Sequence, residues 1–129
     1  MILALILVFV GGAIGSMCRF WLSGFVAERF GETFPYGTLI VNIAGSFVMG
    51  LLAGYFVFRP GVPQHMRLFL TTGILGGFTT FSSFSLDTAL LIERHSFGLA
   101  AGYVVGSIAA GLSALFFGLA LFRGGGHLP

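Results

Sequence analysis

Between Gly73 and Ser85 the chain reads GILGGFTTFSSFS: a glycine pair, two threonines, then two phenylalanines three apart with serines between them. Hydroxyls in such a run can donate hydrogen bonds to an anion. The rims of Phe81 and Phe84 are electropositive because of the ring quadrupole. In an earlier apolar stretch Thr38, Asn42 and Ser46 recur every four residues and so share one helix face. Tyr103 and Ser107 repeat that spacing later in the chain. Asn42 adds an amide with two N–H donors, which a helix cannot satisfy as cheaply as it satisfies a hydroxyl. Taken together these donors suit a small anion. Arg19, near the end of the first apolar stretch, supplies either a positive potential that raises local anion concentration or a side chain that snorkels to headgroups.

Catalysis is a poor fit. Asp87 is the one carboxylate well inside an apolar stretch and Glu93 sits at the end of one, so no paired carboxylates and no nucleophile triad can be assembled. His65, His95 and His127 fall in connections or the tail, where solvated histidines are the rule. The lone Cys18 makes neither an internal disulfide nor a metal site and reads as a small hydrophobe. The chain reads as a non-enzyme.

The elements that must position these residues are set by composition. Of 129 residues 57% are apolar and 8% charged, a balance that marks a polytopic membrane protein. Four stretches, about 2–25, 38–58, 66–92 and 97–122, are long enough to cross the hydrocarbon as helices. The first lacks a basic leader and stays apolar past Gly15, which predicts a retained span. Glycine followed by β-branched threonine is poor helical material, so the third span is expected to be broken near Gly76–Thr80. Non-helical backbone inside a membrane persists where protein buries it or water lines it, which makes such a break a candidate ion or substrate site. Gly11 with Gly15, Gly50 with Gly54, and Gly98, Gly102 and Gly106 form small-xxx-small ridges expected to pack helices closely. No internal repeat or linker divides the chain, so residues 1–129 form one transmembrane domain, with a short glycine tail at Gly124–Gly126.

Lysine is absent, and the six basic residues are all arginine. With four spans, Arg59, Arg67 and Arg123 lie on one side and Arg29 and Arg94 on the other, three against two, or three against three if Arg19 joins the second side. The positive-inside rule then sets almost no orientation, which predicts insertion both ways round and an antiparallel homodimer. The same charges are too scattered to bind nucleic acid.

GGAIGSMCRF in the first span, GTLIVNIAGS in the second and GGFTTFSSFS in the third, in that order, with Tyr103 and Ser107 in a glycine-rich fourth, resemble the small bacterial fluoride channels called Fluc or CrcB. One turn after Ser107, Gly111 offers no hydroxyl to continue a polar track. The resemblance implies an all-α protein of the bacterial inner membrane, an antiparallel dual-topology homodimer with two pores that export fluoride passively. By motif, Asn42, Phe81 and Phe84 would line each pore, Ser82 and Ser83 would add hydroxyls, and Arg19 would sit in a vestibule leading in. It also implies a structural Na⁺ at the dimer axis, held by main-chain carbonyls of Gly76 and Thr79. Hard cations do suit the free carbonyls of a broken helix. A proton-coupled fluoride antiporter, a small multidrug exporter and a non-transporting assembly subunit are the alternatives. Asp87 or Glu93 would be the coupling group of the first, while the multidrug exporter requires a membrane-embedded carboxylate that the first span lacks.

Overall fold

Long apolar runs free of proline give three helices, α1 (Ile2–Phe30), α2 (Tyr36–Phe58) and α6 (Phe97–Arg123), each long and apolar enough to cross a membrane. The structure is a computed structural model that describes residues 1–123; the tail at Gly124–Gly126 and His127 lie outside the described residues. α1 runs past the expected end at residue 25 because nothing stops it before Gly31. There the backbone turns to φ 83°, a conformation that favours glycine, and the Gly31 N–H closes the helix on the carbonyl of Ala27.

The expected third span is an interrupted column. α3 (Gln64–Arg67) continues into a π-helical segment (Leu68–Leu75) and a short α4 (Gly76–Phe78), and α5 (Phe81–Glu93) resumes after two extended residues, Thr79 and Thr80. The break thus falls on the threonines, while both glycines remain helical. The π segment was not legible in the sequence. Within it Thr71 Oγ1 donates to the carbonyl of Arg67 at 2.6 Å, competing for an acceptor that a regular α ladder would use.

Direction follows from which residues meet. Gly11 faces Phe69 and Gly73, and Gly15 faces Ile74 and Phe78, so the column runs parallel to α1. Gly37 meets Ser23, so α2 runs antiparallel to α1. Gly50 meets Leu115 and Gly54 meets Phe122, so α6 runs parallel to α2. The four long elements therefore alternate in direction along the chain, the column and α1 one way, α2 and α6 the other. Two of the glycine ridges do the expected work: a Cβ on Gly15 would strike the carbonyl oxygen of Ile74, and one on Gly50 would strike the carbonyl oxygen of Leu115. The fourth-span ridge is a correction. Added Cβ atoms at Gly98, Gly102 and Gly106 would meet nothing within 4 Å, and it is Gly118 that lets α6 close on Phe47 and Leu51 of α2.

Burial is inverted relative to a water-soluble fold. Phe9, Phe20 and Trp21 on α1 are largely exposed, whereas the buried core is small and holds Val41, Leu91, Ala100 and Tyr103. Such an apolar exterior is stable only in lipid or against another copy. The four carboxylates, Glu28, Glu32, Asp87 and Glu93, belong to the end where α1 and α5 finish, and the opposite connection carries Arg59 and Arg67.

Candidate functional site

At the break Thr79 has ψ 157° and Thr80 has φ −149° and ψ 116°, so two consecutive residues leave the helical ladder. Three side chains take over its hydrogen bonds. Asn42, about 9 Å along α2 from Tyr36 by helical rise, accepts the Thr80 N–H on Oδ1 at 2.8 Å and donates from Nδ2 to the Thr80 carbonyl at 3.0 Å. Arg19 of α1 donates from Nε to the Gly77 carbonyl at 3.1 Å. Thr80 itself caps α5: its Oγ1 accepts the Ser83 N–H at 3.1 Å and lies 3.3 Å from the Ser82 hydroxyl.

In a continuous helix the Thr80 N–H would serve Gly76 and the Ser83 N–H would serve Thr79. Both donors are engaged elsewhere. The carbonyls of Gly76 and Thr79 therefore lose their helical partners, whereas those of Gly77 and Thr80 are occupied by Arg19 and Asn42. Oxygen donors freed in this way suit a hard cation such as Na⁺. α5 begins at the break with no acidic residue in its first turn, so its positive dipole end faces the same space.

A cavity of about 350 Å³ opens beside the break. One wall carries Asn42, Gly45 and Ser46 of α2, another carries Thr79, Thr80, Phe81 and Phe84, and α6 supplies Ser107 and Gly111. Among the described residues the buried Ser107 hydroxyl has no hydrogen-bond partner, a group left for something inside the cavity to satisfy. Phe81 stands 78% exposed with its ring centroid 5.7 Å from that of Phe84. Gly111 adds no side chain to this wall, and the groove continues along Ser46, Ser107 and Leu112.

Beyond Phe84 the polar face continues. Tyr103, 1% exposed, lies 5.2 Å from the Phe84 ring and edge-on to Phe34 at 5.5 Å. Its hydroxyl donates to Asp87 Oδ2 at 3.1 Å, and Thr38 lies beside it. Asn42, Phe81, Phe84 and Ser107 therefore come together in one cavity, while Thr38 and Tyr103 extend the face past it. Ser82 and Ser83 do not line the cavity; Ser82 is exposed and Ser83 meets the break through its main-chain N–H. Arg19 meets the break through the Gly77 carbonyl and does not line the cavity. Asp87 is the residue whose part the sequence left open, although its place as the sole carboxylate well inside a span was the signal.

The family model described as CrcB-like protein, Camphor Resistance (CrcB), matches residues 6–119. Three relatives are each named fluoride-specific ion channel FluC. One, from Rhodopseudomonas palustris (strain BisB5), is 57% identical over 118 residues, 92% of this chain and 95% of its own length. Another, from Methylobacterium nodulans, is 55% identical over 118 residues, 92% and 94% of the two chains. The third, from Agrobacterium fabrum, is 51% identical over 117 residues, covering 91% of this chain and 94% of the relative.

Proposed function

Since this chain belongs to the CrcB family, we propose that it is a fluoride-selective channel of the bacterial inner membrane, passing the ion down its electrochemical gradient. The observation that carries the reading is the polar cavity at the helix break, in a chain whose relatives are named for fluoride. A fluoride ion leaving water must find replacement donors. Asn42 and Ser107 offer an amide N–H and an unpartnered hydroxyl, and Ser46 offers another hydroxyl. The rims of Phe81 and Phe84 add positive potential without a fixed charge that would hold the ion too tightly. Thr38 and Tyr103 continue the route toward Asp87. Ser82 and Ser83 shape the α5 start, and Arg19 lends positive potential from the far side of the break.

The working unit is an antiparallel homodimer with a pore on each side. Support comes from the near-equal arginine distribution and from Phe81, which stays 78% exposed in the protomer. The carbonyls of Gly76 and Thr79 fit a structural Na⁺, to which a second copy would contribute a matching pair. Bound there, the ion would neutralise carbonyl dipoles and hold the two breaks together.

Purified protein in liposomes tests this directly. Fluoride efflux that needs a potassium ionophore to dissipate charge, with chloride retained, is the expected result. Electroneutral efflux, or equal passage of chloride, would overturn the reading.

A further inference from the structure

Among the main-chain hydrogen bonds that a continuous helix across the α4–α5 junction would need are Thr80 N–H to the Gly76 carbonyl and Phe81 N–H to the Gly77 carbonyl. Each is lost at one partner. Asn42 holds the Thr80 N–H, and Arg19 holds the Gly77 carbonyl. They act from different helices, α2 and α1, on opposite ends of the interruption. We infer that Asn42 and Arg19 are positioning residues that hold the third span open at Thr79–Thr80, so that the placement of Phe81 and of the freed Gly76 and Thr79 carbonyls depends on these two side chains.

The glycines alone do not explain the break. Gly76 and Gly77 keep helical geometry, and the two residues that leave it are threonines. Their β-branching weakens the helix only within the ordinary spread of helix propensities, less than the main-chain hydrogen bonds given up at the break are worth in a membrane. Something must hold the competing partners. Asn42 presents an acceptor and a donor to the same residue, Thr80, matching the pair of groups that a residue leaving the ladder exposes. Arg19 gives its Nε–H to one carbonyl, that of Gly77. The inference deepens the pore reading and rests on it only for the consequence to transport, since the backbone claim can be measured without any ion flux.

The test is residue-resolved NMR of the full-length protein in detergent, reading Thr79 and Thr80 Cα shifts and Thr80 amide exchange. Wild type should give extended shifts and a protected Thr80 amide. In Asn42→Ala either the shifts move toward helix, as the junction zips, or the Thr80 amide exchanges roughly ten-fold faster, as expected for one lost hydrogen bond. Asn42→Asp keeps an acceptor for that amide and should retain its protection, although the added charge hinders an anion. In Arg19→Gln the released Gly77 carbonyl should become available to Phe81, whose amide then exchanges more slowly. Should Asn42→Ala not yield folded protein, Asn42→Ser, too short to span both groups, supplies the same comparison. Unchanged shifts and unchanged Thr80 and Phe81 exchange in the Asn42 and Arg19 variants would overturn the inference, whatever the flux. Unaltered transport in Asn42→Ala with an altered junction would instead count against the pore reading.

Discussion

Asn42 and Thr80, thirty-eight positions apart, are joined by two reciprocal hydrogen bonds of 2.8 and 3.0 Å. This contact lets one amide serve both the architecture of the interrupted column and the cavity beside it, and it orders the effects expected of substitutions.

Asn42→Asp should abolish fluoride flux while the protein remains folded. A carboxylate about 4 Å from a passing anion repels it by roughly 4 kcal/mol at intermediate dielectric, and it also faces the Thr80 carbonyl without a proton to donate. Efflux from liposomes, measured after gel filtration has confirmed an unchanged particle, checks this.

The two phenylalanines should separate. Phe81 touches little of its own chain, so Phe81→Ile should cut flux sharply and leave protomer stability unchanged. Phe84 packs on Tyr103, whose ring sits in the small core with Leu91 and Ala100. Its replacement by Ile should also cost about 1 kcal/mol of stability, the worth of an aromatic pair. Wild-type flux in folded Phe81→Ile would make the ring a lipid or packing residue.

Tyr103→Phe removes the proton that Asp87 accepts. A hydrogen bond to a carboxylate is worth about 1.5–3 kcal/mol, so thermal unfolding should shift down and flux should fall, while Asp87→Asn partly restores stability in the double variant. Additive losses in that cycle would show that the pair is not coupled.

Much of this arrangement was legible in the sequence, for identifiable reasons. Thr38, Asn42 and Ser46 lie four apart, and polar side chains at that period inside an apolar run must share a partner or a cavity. The break was legible because Gly-Gly-Phe-Thr-Thr discourages a helix. Its position at the threonines was not, because it depends on Asn42 and Arg19, side chains 38 and 58 residues away from their partners. The π segment rests on packing against α1 at Gly11 and Gly73, which no local pattern announces. The ridge of Gly98, Gly102 and Gly106 misled for the opposite reason: spacing marks a smooth face but does not say whether a neighbour from the same chain occupies it.

That difference between ridges is itself testable. Gly15→Ala drives a methyl into the backbone of the π segment and should destabilise by about 1–3 kcal/mol, the usual cost of overpacking. Gly102→Ala, facing open space in the protomer, should leave protomer stability within about 0.5 kcal/mol. Equal effects on thermal unfolding would contradict the packing described.

Topology should respond to charge. Adding three lysines to the connection between Arg59 and Arg67 should force one orientation and lower activity, and co-expression with a copy biased by lysines near Arg94 should restore it. Termini found on a single side in wild-type cells would rule out dual insertion.

The most direct measurement of the central claim is the reversal potential of the current in a planar bilayer under a fluoride gradient, with and without an opposing pH gradient. A passive fluoride-selective channel reverses at the fluoride equilibrium potential in both conditions and does not move when chloride is exchanged. A reversal potential that shifts with the pH gradient would show that protons are coupled to transport, through Asp87 or Glu93, and would contradict the channel.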